Sequence, residues 1–306
     1  MSFRGLVLIS LLFIAPALPA SSQEQARPPL YEGTGGRWKE LFKKKEKGPE
    51  EEEKLYKKAL SLYEGRPTWL ARRFPGKAKN AKNSRCRRPF YYRIDYEKSI
   101  ELFQKLVYEF PFTKHLADAD FYIAECHYKL KDYDIALTAY QDFLVRHPRD
   151  PRIEHVYFQI GMSHWQQRKK KPLRDQTQTE AAVEAFKTLL QFYPATSYQQ
   201  DAEKYIDLGN KILVEREVRI GDFYFSKKEY WSASLRYHTA RTEYPQTTRA
   251  QYAAYQEGIC FLKLNRKDQA AKLFREFLDS YPQSEYAKEA KNKVEKLQNY
   301  ESMPAK

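Results

Sequence analysis

A repeated order of small residue, aromatic ring and proline is the feature that most limits how this chain can fold. Each of three marker residues returns 37 residues later: Gly221, Tyr237 and Pro245 are followed by Gly258, Phe274 and Pro282. Apolar residues between the markers recur at helical spacing, and a proline ends a helix because it lacks a backbone N–H and clashes with the preceding turn. Each unit therefore predicts two short helices followed by a stop.

Units of this length are typical of tetratricopeptide repeats, in which no helix pair can bury its apolar face alone and neighbouring pairs stack into a solenoid. The terminal prolines of successive units lie 37, 46, 51 and 37 residues apart. These prolines are Pro111, Pro148, Pro194, Pro245 and Pro282. The repeat therefore extends over most of the chain.

The two longer intervals exceed 37 residues by 9 and 14, and the spacing of the small residues locates each excess. The first predicts an insertion around residues 169–177 inside one helix pair, and the second predicts a lengthened helix over residues 199–219. The same comparison places roughly 28 extra residues between Ala59 and Ser99, inside the first pair.

We therefore predict an all-α, tetratricopeptide-type solenoid of about five helix pairs, closed by a C-terminal capping helix over residues 284–300. Tyr286, Ala290, Val294 and Leu297 would cover the exposed end of the array. The predicted organisation is a signal peptide, a flexible linker, a helical-repeat domain and a tail. Their bounds are residues 1–20, 21–52, 53–300 and 301–306.

The first twenty residues predict an export signal. Arg4 supplies a positive start, residues 6–14 form a short apolar run, and small residues at Ala17 or Ala20 offer a cleavage site. An apolar run of this length is too short to span a bilayer, which needs about 20 apolar residues. An ordinary N-terminal helix is the other interpretation, although nothing follows that it would pack against.

The net charge of +14 is concentrated in one segment. Residues 65–94 hold ten Lys and Arg and no Asp or Glu, which leaves +4 for the rest of the chain. Nine of these cations are candidates for contact with an anionic surface such as anionic lipid or lipopolysaccharide. They are Arg66, Arg72, Arg73, Lys77, Lys79, Lys82, Arg85, Arg87 and Arg88. A solvated loop is the competing interpretation of residues 65–92, and an export signal argues against nucleic acid as the partner.

The sequence predicts no catalytic, cofactor or metal site. None of the six histidines pairs with another at helical spacing, and no glycine-rich loop or nucleophile elbow occurs. The three cysteines, Cys86, Cys126 and Cys260, show no regular spacing. Cys126 and Cys260 lie inside predicted helices, where a buried thiol acts as a small apolar side chain. We therefore expect a protein that binds other chains and is not an enzyme.

In the order of its motifs and insertions the chain resembles the BamD family, the helical-repeat component of the bacterial machinery that inserts β-barrel proteins into the outer membrane. The resemblance runs from about Leu55 to Tyr255. It is carried by EFPFTKHLADADFYIAECHYK (109–129), HPRDPRIEHVYFQIGM (147–162) and RDQTQTEAAVEAFKTLLQFYPATSYQQDA (174–202). The chain departs from the family in two respects. The basic insertion is not part of the usual pattern, and the chain has no cysteine before Cys86, whereas the family is typically anchored through a lipid on an N-terminal cysteine.

The resemblance implies a periplasmic scaffold, peripherally associated with the outer membrane, that binds a BamA-like barrel protein, other assembly components and unfolded outer-membrane proteins. By position it implies that Arg236 contacts the barrel component; the alternative is a solvated surface arginine. It also implies that an N-terminal group of residues binds substrate peptide, for which repeat packing is the alternative. That group is Phe110, Pro111, Phe112, Phe121 and Tyr122.

A different periplasmic repeat adaptor, acting in envelope assembly or cell division, is a further alternative. Adaptors of that class usually carry an N-terminal coiled coil, and residues 21–52 show no heptad pattern. An anionic-surface-binding protein that acts through residues 65–92 also remains open.

Overall fold

The structure, a computed structural model, describes residues 48–67, Arg73 and residues 92–301. Within these residues the chain forms eleven helices and one pair of two-residue strands. In chain order the elements are α1 (Pro49–Glu64), β1 (Arg66–Pro67), β2 (Tyr92–Arg93), α2 (Tyr96–Glu109), α3 (Leu116–Leu130), α4 (Tyr133–Arg146), α5 (Ile153–Gln167), α6 (Thr177–Phe192), α7 (Gln199–Ser226), α8 (Tyr230–Glu243), α9 (Thr248–Lys263), α10 (Lys267–Ser280) and α11 (Ala287–Glu301).

The helices form five antiparallel pairs, α1–α2, α3–α4, α5–α6, α7–α8 and α9–α10, followed by the capping helix α11. The second helix of every pair ends two residues before a proline of the predicted series, at Glu109, Arg146, Phe192, Glu243 and Ser280. The residue before a proline is driven out of the helical region, which explains this shared end point. The tetratricopeptide-type solenoid is confirmed, with the predicted number of pairs.

The contact between the two helices of a pair depends on a missing side chain. A Cβ atom added at Gly161 would lie 2.5 Å from the Phe186 ring, one at Gly221 would lie 2.7 Å from Tyr237, and one at Gly258 would lie 2.6 Å from Phe274. These distances are far below van der Waals contact, so at these three positions only glycine allows the ring to lie where it does. In the second pair Ala124 and Tyr140, both fully buried, occupy the corresponding positions.

The insertions and the long helix lie where the repeat spacing places them. α7 has 28 residues and begins at Gln199, and residues 168–176 join α5 to α6. In the first pair β1 and β2 pair antiparallel, with Arg66 opposite Arg93 and Pro67 opposite Tyr92. The insertion therefore leaves and rejoins the first pair at one place.

Two predicted bounds were wrong by a few residues. α1 begins at Pro49, so residues 49–52 of the predicted linker are helical. A proline in the first turn and the acidic residues 50–52 that follow it both favour a helix N-terminus, the acids through the helix dipole. The capping helix begins at Ala287 and not at residue 284; its Ala290, Val294 and Leu297 are buried against the last pair, as predicted.

Among the helices that the structure describes, none combines the length and the apolar character needed to cross a membrane.

Replacing Gly258 with alanine tests the close contact between ring and backbone. The new methyl group would press on the Phe274 ring, and overpacking of this kind destabilises a protein by about 1–3 kcal/mol. We expect the midpoint of urea unfolding, followed by circular dichroism, to fall for Gly258→Ala. Gly48→Ser is the control, because an added Cβ there has no neighbour within 4 Å. Equal midpoints for Gly258→Ala and the unsubstituted protein would contradict this account.

Candidate functional site

The turn between α2 and α3 presents part of the predicted peptide-binding group to solvent. Phe112 is fully exposed, and Pro111 beside it is exposed too. Phe110 is half-buried, packs on the first-pair core and donates its backbone N–H to Leu106 at 2.9 Å. The turn therefore exposes the Phe112 ring, and the packed Phe110 ring anchors the backbone that carries it.

The other two members of the group are involved in packing. Phe121 is 8% exposed, with its ring edge-on to Phe143 and the Arg152 guanidinium 4.5 Å from its centroid. Tyr122 is half-buried and stacks on Phe103 with ring centroids 5.5 Å apart. The structure thus separates the five residues into an exposed turn and a packed pair on α3.

Beside Tyr122 lies a buried carboxylate that the sequence analysis missed. Glu125, 3% exposed, accepts hydrogen bonds from the hydroxyl groups of Tyr140 at 2.7 Å and Tyr63 at 3.2 Å, and its Oε1 lies 2.9 Å from His155 Nε2. Burial raises the pKa of Glu125, but the hydrogen bonds from His155 and Tyr140 outweigh it and hold that pKa below its ordinary value. An acid directly after the small residue Ala124, inside an apolar stripe, was the available signal.

The hydrogen bonds of Glu125 continue into the next pairs. His155 on α5 reaches Glu125 through one ring nitrogen and the Tyr198 hydroxyl, 2.8 Å away, through the other. Tyr63 lies on α1 and Tyr198 at the start of α7, so this line of polar groups crosses the first helices of successive pairs. We call Tyr63, Tyr122, Glu125, His155 and Tyr198 the polar tract.

A second set of contacts holds the exposed turn beside the polar tract. His115 stacks on Tyr56 with centroids 3.8 Å apart, and its Nε2 lies 3.0 Å from Glu53 Oε2. The hydrogen bonds from His115 and Lys57 lower the pKa of Glu53 to about 2. The turn that carries Phe112 is thereby fastened to α1.

Arg236 lies on α8, far along the array from the polar tract. Its side chain is 45% exposed, and its guanidinium donates to Glu217 Oε2 at 3.1 Å. Glu217 is 3% exposed and also accepts from Arg216 Nε at 2.9 Å. Arg236 is therefore a surface arginine whose guanidinium is hydrogen-bonded to a buried carboxylate.

Most of the predicted anionic-surface contacts lie outside the described residues. Arg73 is exposed, and Arg66 is described only as part of the backbone of β1. The other members of that set are Arg72, Lys77, Lys79, Lys82, Arg85, Arg87 and Arg88.

The two described cysteines are buried. Burial raises the pKa of the thiols of both Cys126 and Cys260 to about 12, so neither forms a reactive thiolate near neutral pH. Cys86 lies outside the described residues. No group of three or more His, Cys, Asp or Glu side chains in the described part of the chain is placed to hold a metal ion. The arrangement that remains is one of exposed rings and fixed charges, which suits the binding of other chains.

Comparison with known proteins matches the chain to a family. The model of the YfiO family, described as outer membrane lipoprotein, matches residues 90–268. The chain is 26% identical over 204 residues to the outer membrane protein assembly factor BamD of Rickettsia prowazekii, which covers 67% of this chain and 81% of that protein.

Further relatives carry the same name at similar identity. The outer membrane protein assembly factor BamD of Vibrio cholerae is 25% identical over 52% of this chain and 72% of its own. That of Caulobacter vibrioides is 22% identical over 58% of this chain and 58% of its own, so the match spans less than two thirds of that relative. The TPR2AB-domain:pHSP90 complex of yeast Sti1 superposes with a TM-score of 0.36 at 13% identity, over 83% of this chain and 85% of that one.

Replacing Glu125 with glutamine tests the centre of the polar tract. The hydrogen bonds to the buried carboxylate are charge-assisted, and weakening them should lower the free energy of unfolding at pH 7 by on the order of 3 kcal/mol. Because folding lowers the pKa of Glu125, its contribution is present above the ordinary carboxyl range and is lost as the pH falls through the folded pKa.

Urea unfolding at pH 7 and at pH 4 measures both effects. The difference between the unsubstituted protein and Glu125→Gln should shrink at the lower pH. Glu101→Gln, an exposed acid on α2, is the matched control and should change neither value. An equally large difference at both pH values would show that the charge of Glu125 is not what stabilises the fold.

Proposed function

Because the chain belongs to the YfiO family of outer membrane lipoproteins, we propose that it is a non-enzymatic scaffold of the machinery that assembles outer-membrane β-barrel proteins. The observation that carries this proposal is the family match over residues 90–268, which coincides with the stacked pairs from α2 to the start of α10. The relatives named as outer membrane protein assembly factors support the same role. A signal peptide at residues 1–20 would deliver the protein to the periplasm, where it would be held at the outer membrane.

Arg236 is the proposed contact for the barrel component. Its guanidinium is held by the buried Glu217, and the neighbouring Leu235 on the same helix is 52% exposed. Arginine is one of the residues most enriched where binding energy concentrates in protein interfaces. A pre-oriented cation beside exposed apolar surface is well suited to a folded, partly acidic partner.

The exposed turn at Pro111 and Phe112 is the proposed contact for incoming, unfolded barrel proteins. An extended segment of such a protein alternates apolar and polar side chains, and aromatic side chains bind it without needing a fixed sequence. Phe112 offers an exposed ring, and the adjacent Thr113 and His115 tie the turn to α1. Phe110, Phe121 and Tyr122 would act mainly by holding this surface in shape.

Replacing Arg236 with alanine tests the proposed role and its site together. We expect the protein to retain the periplasmic domain of a BamA-like barrel protein in a pull-down, and Arg236→Ala to weaken that binding at least about tenfold. Arg146→Ala is the matched control, because Arg146 is equally 45% exposed and pairs with a buried carboxylate, Asp120, at 2.8 Å.

In both variants the carboxylate keeps a second partner, Arg216 for Glu217 and His147 for Asp120. Their effects on folding should therefore match. Equal loss of binding in the two variants would place the contact elsewhere, and no binding by the unsubstituted protein at low and moderate salt would refute the scaffold itself.

Replacing Phe112 with serine tests the peptide contact. The Phe112 side chain is fully exposed, so the variant should keep its stability and lose about tenfold in affinity for a synthetic terminal β-strand of a barrel protein, measured by fluorescence anisotropy. Val145→Ser is the control, since Val145 is another strongly exposed apolar residue, at 81%, and lies on α4. Unchanged affinity in Phe112→Ser would remove this turn from the proposed site.

A further inference from the structure

The two kinds of turn in the array lie on opposite edges of the solenoid. Helices alternate in direction, so the turns inside the pairs all lie along one edge and the turns between the pairs along the other. The described turns inside pairs are residues 131–132, 168–176, 227–229 and 264–266. The insertion of the first pair begins and ends at the same edge, at β1 and β2. We call this the basic edge, for the charge that it carries.

The charge of the two edges differs strongly. The four described turns of the basic edge hold nine Lys and Arg and three Asp and Glu in 17 residues. The five turns of the opposite edge, residues 110–115, 147–152, 193–198, 244–247 and 281–286, hold three cations and two acids in 28 residues. Eight of the nine cations lie in the turns of the third, fourth and fifth pairs, because residues 131–132 hold one lysine and one aspartate.

Two lysines of this edge occupy a backbone conformation that disfavours them. The short turns share one left-handed position, with φ of 72° at Lys131, 62° at Lys228 and 59° at Asn265. Glycine adopts this conformation most readily because it has no Cβ to crowd the following carbonyl oxygen, and asparagine tolerates it because its short amide can hydrogen-bond to the local backbone. A strained position that carries an exposed lysine is consistent with a role for the charge itself.

The longest described turn displays its cations on a fixed backbone. Gln176, 1% exposed, donates to the carbonyl oxygens of Lys169 at 3.2 Å and Lys171 at 2.8 Å. Lys169, Lys170, Lys171 and Arg174 are exposed, and within the described part of the chain none of them forms an ion pair. The turn therefore presents a cluster of exposed cations in excess over its one acid, Asp175.

Exposed apolar side chains accompany these cations. Leu173 is 61% exposed in the same turn. At the next turn along the edge Phe223 is 57% exposed, and Lys227 Nζ lies 5.9 Å from the centroid of its ring. The Arg266 guanidinium lies 5.1 Å from the centroid of the Trp231 ring. At a membrane surface such side chains enter the boundary between headgroups and acyl chains while the neighbouring cations stay with the phosphates. The opposite edge also exposes apolar residues, Phe112 among them, but without the excess of cations.

We propose that the basic edge docks on an anionic lipid surface, with the lysines and arginines of the turns against lipid phosphates and Leu173, Phe223 and Trp231 at the acyl boundary. Fixed cations and apolar tips together favour a bilayer over an acidic protein, for which the apolar tips would have no partner of their own. The proposal rests on the charge distribution of the fold and does not require the assembly role.

Sedimentation of the full chain with vesicles tests this edge. The protein should bind phosphatidylcholine–phosphatidylglycerol vesicles, more weakly as salt rises, and should not bind vesicles of phosphatidylcholine alone. Each cation near an anionic bilayer contributes about fivefold in affinity, so the triple variant Lys169→Gln, Lys170→Gln and Lys171→Gln should bind on the order of a hundredfold more weakly. Leu173→Ser should weaken binding severalfold with no change in charge.

The matched control removes three exposed lysines from helices towards the opposite edge, as Lys187→Gln, Lys288→Gln and Lys291→Gln. This variant has the same net charge and should bind nearly as the unsubstituted protein does. Both triple variants should melt at the same temperature and retain the barrel component in the pull-down, which separates this test from that of the scaffold.

Equal losses in the two triple variants would overturn the proposal, because net charge alone would then account for binding. Unchanged binding by the basic-edge variant would overturn it too. Binding of the unsubstituted protein to polyglutamate, with none to the anionic vesicles, would assign the edge to an acidic protein instead.

Discussion

The contact of an aromatic ring with a bare stretch of backbone is the constraint on which the rest of the structure depends. Phe186, Tyr237 and Phe274 each occupy the space where the glycine of the facing helix would carry a Cβ. Such a contact sets both the distance between the helices of a pair and their register, since the ring fits at one position only. The stacking of pairs, and with it the separation of the two edges, follows from that geometry.

Buried carboxylates form hydrogen bonds between the helices that the aromatic rings hold together. Glu125 joins Tyr63, Tyr140 and His155 from three other helices, and Glu217 joins two arginines. A buried charge is costly unless it is fully hydrogen-bonded, so each of these acids has at least two donors. The orientation of the exposed Arg236 is then a consequence of the interior. The proposed binding surface and the fold share residues, and a variant at Glu217 would disturb both.

The repeat was predictable because its signals are local. Glycines, prolines and aromatic residues at fixed spacing specify helix ends and close contacts without reference to the rest of the chain, and the pairs, the insertions and the long helix followed from them. The difference in burial between Phe112 and Phe121 could not be predicted in this way. Phe112 lies in the turn and Phe121 on the helix after it, and only the neighbouring helices decide which ring is covered. Glu125 was missed for the same reason: its partners lie 62, 15 and 30 residues away in the chain.

The position of the insertions connects the fold to its surfaces. The contact between Gly161 and Phe186 is kept although the turn that joins their helices is longer than in the last two pairs, and Ala59 and Phe103 share one buried cluster across the far longer insertion of the first pair. A turn inside a pair can lengthen at small entropic cost, because both of its ends are fixed by that contact. Both insertions therefore interrupt turns inside pairs, while Phe112 lies in a turn between pairs. Under the two proposals the basic edge would face lipid and the opposite edge would bind an unfolded chain. The same repeat geometry would then keep an incoming barrel protein away from the lipid surface on which the scaffold docks.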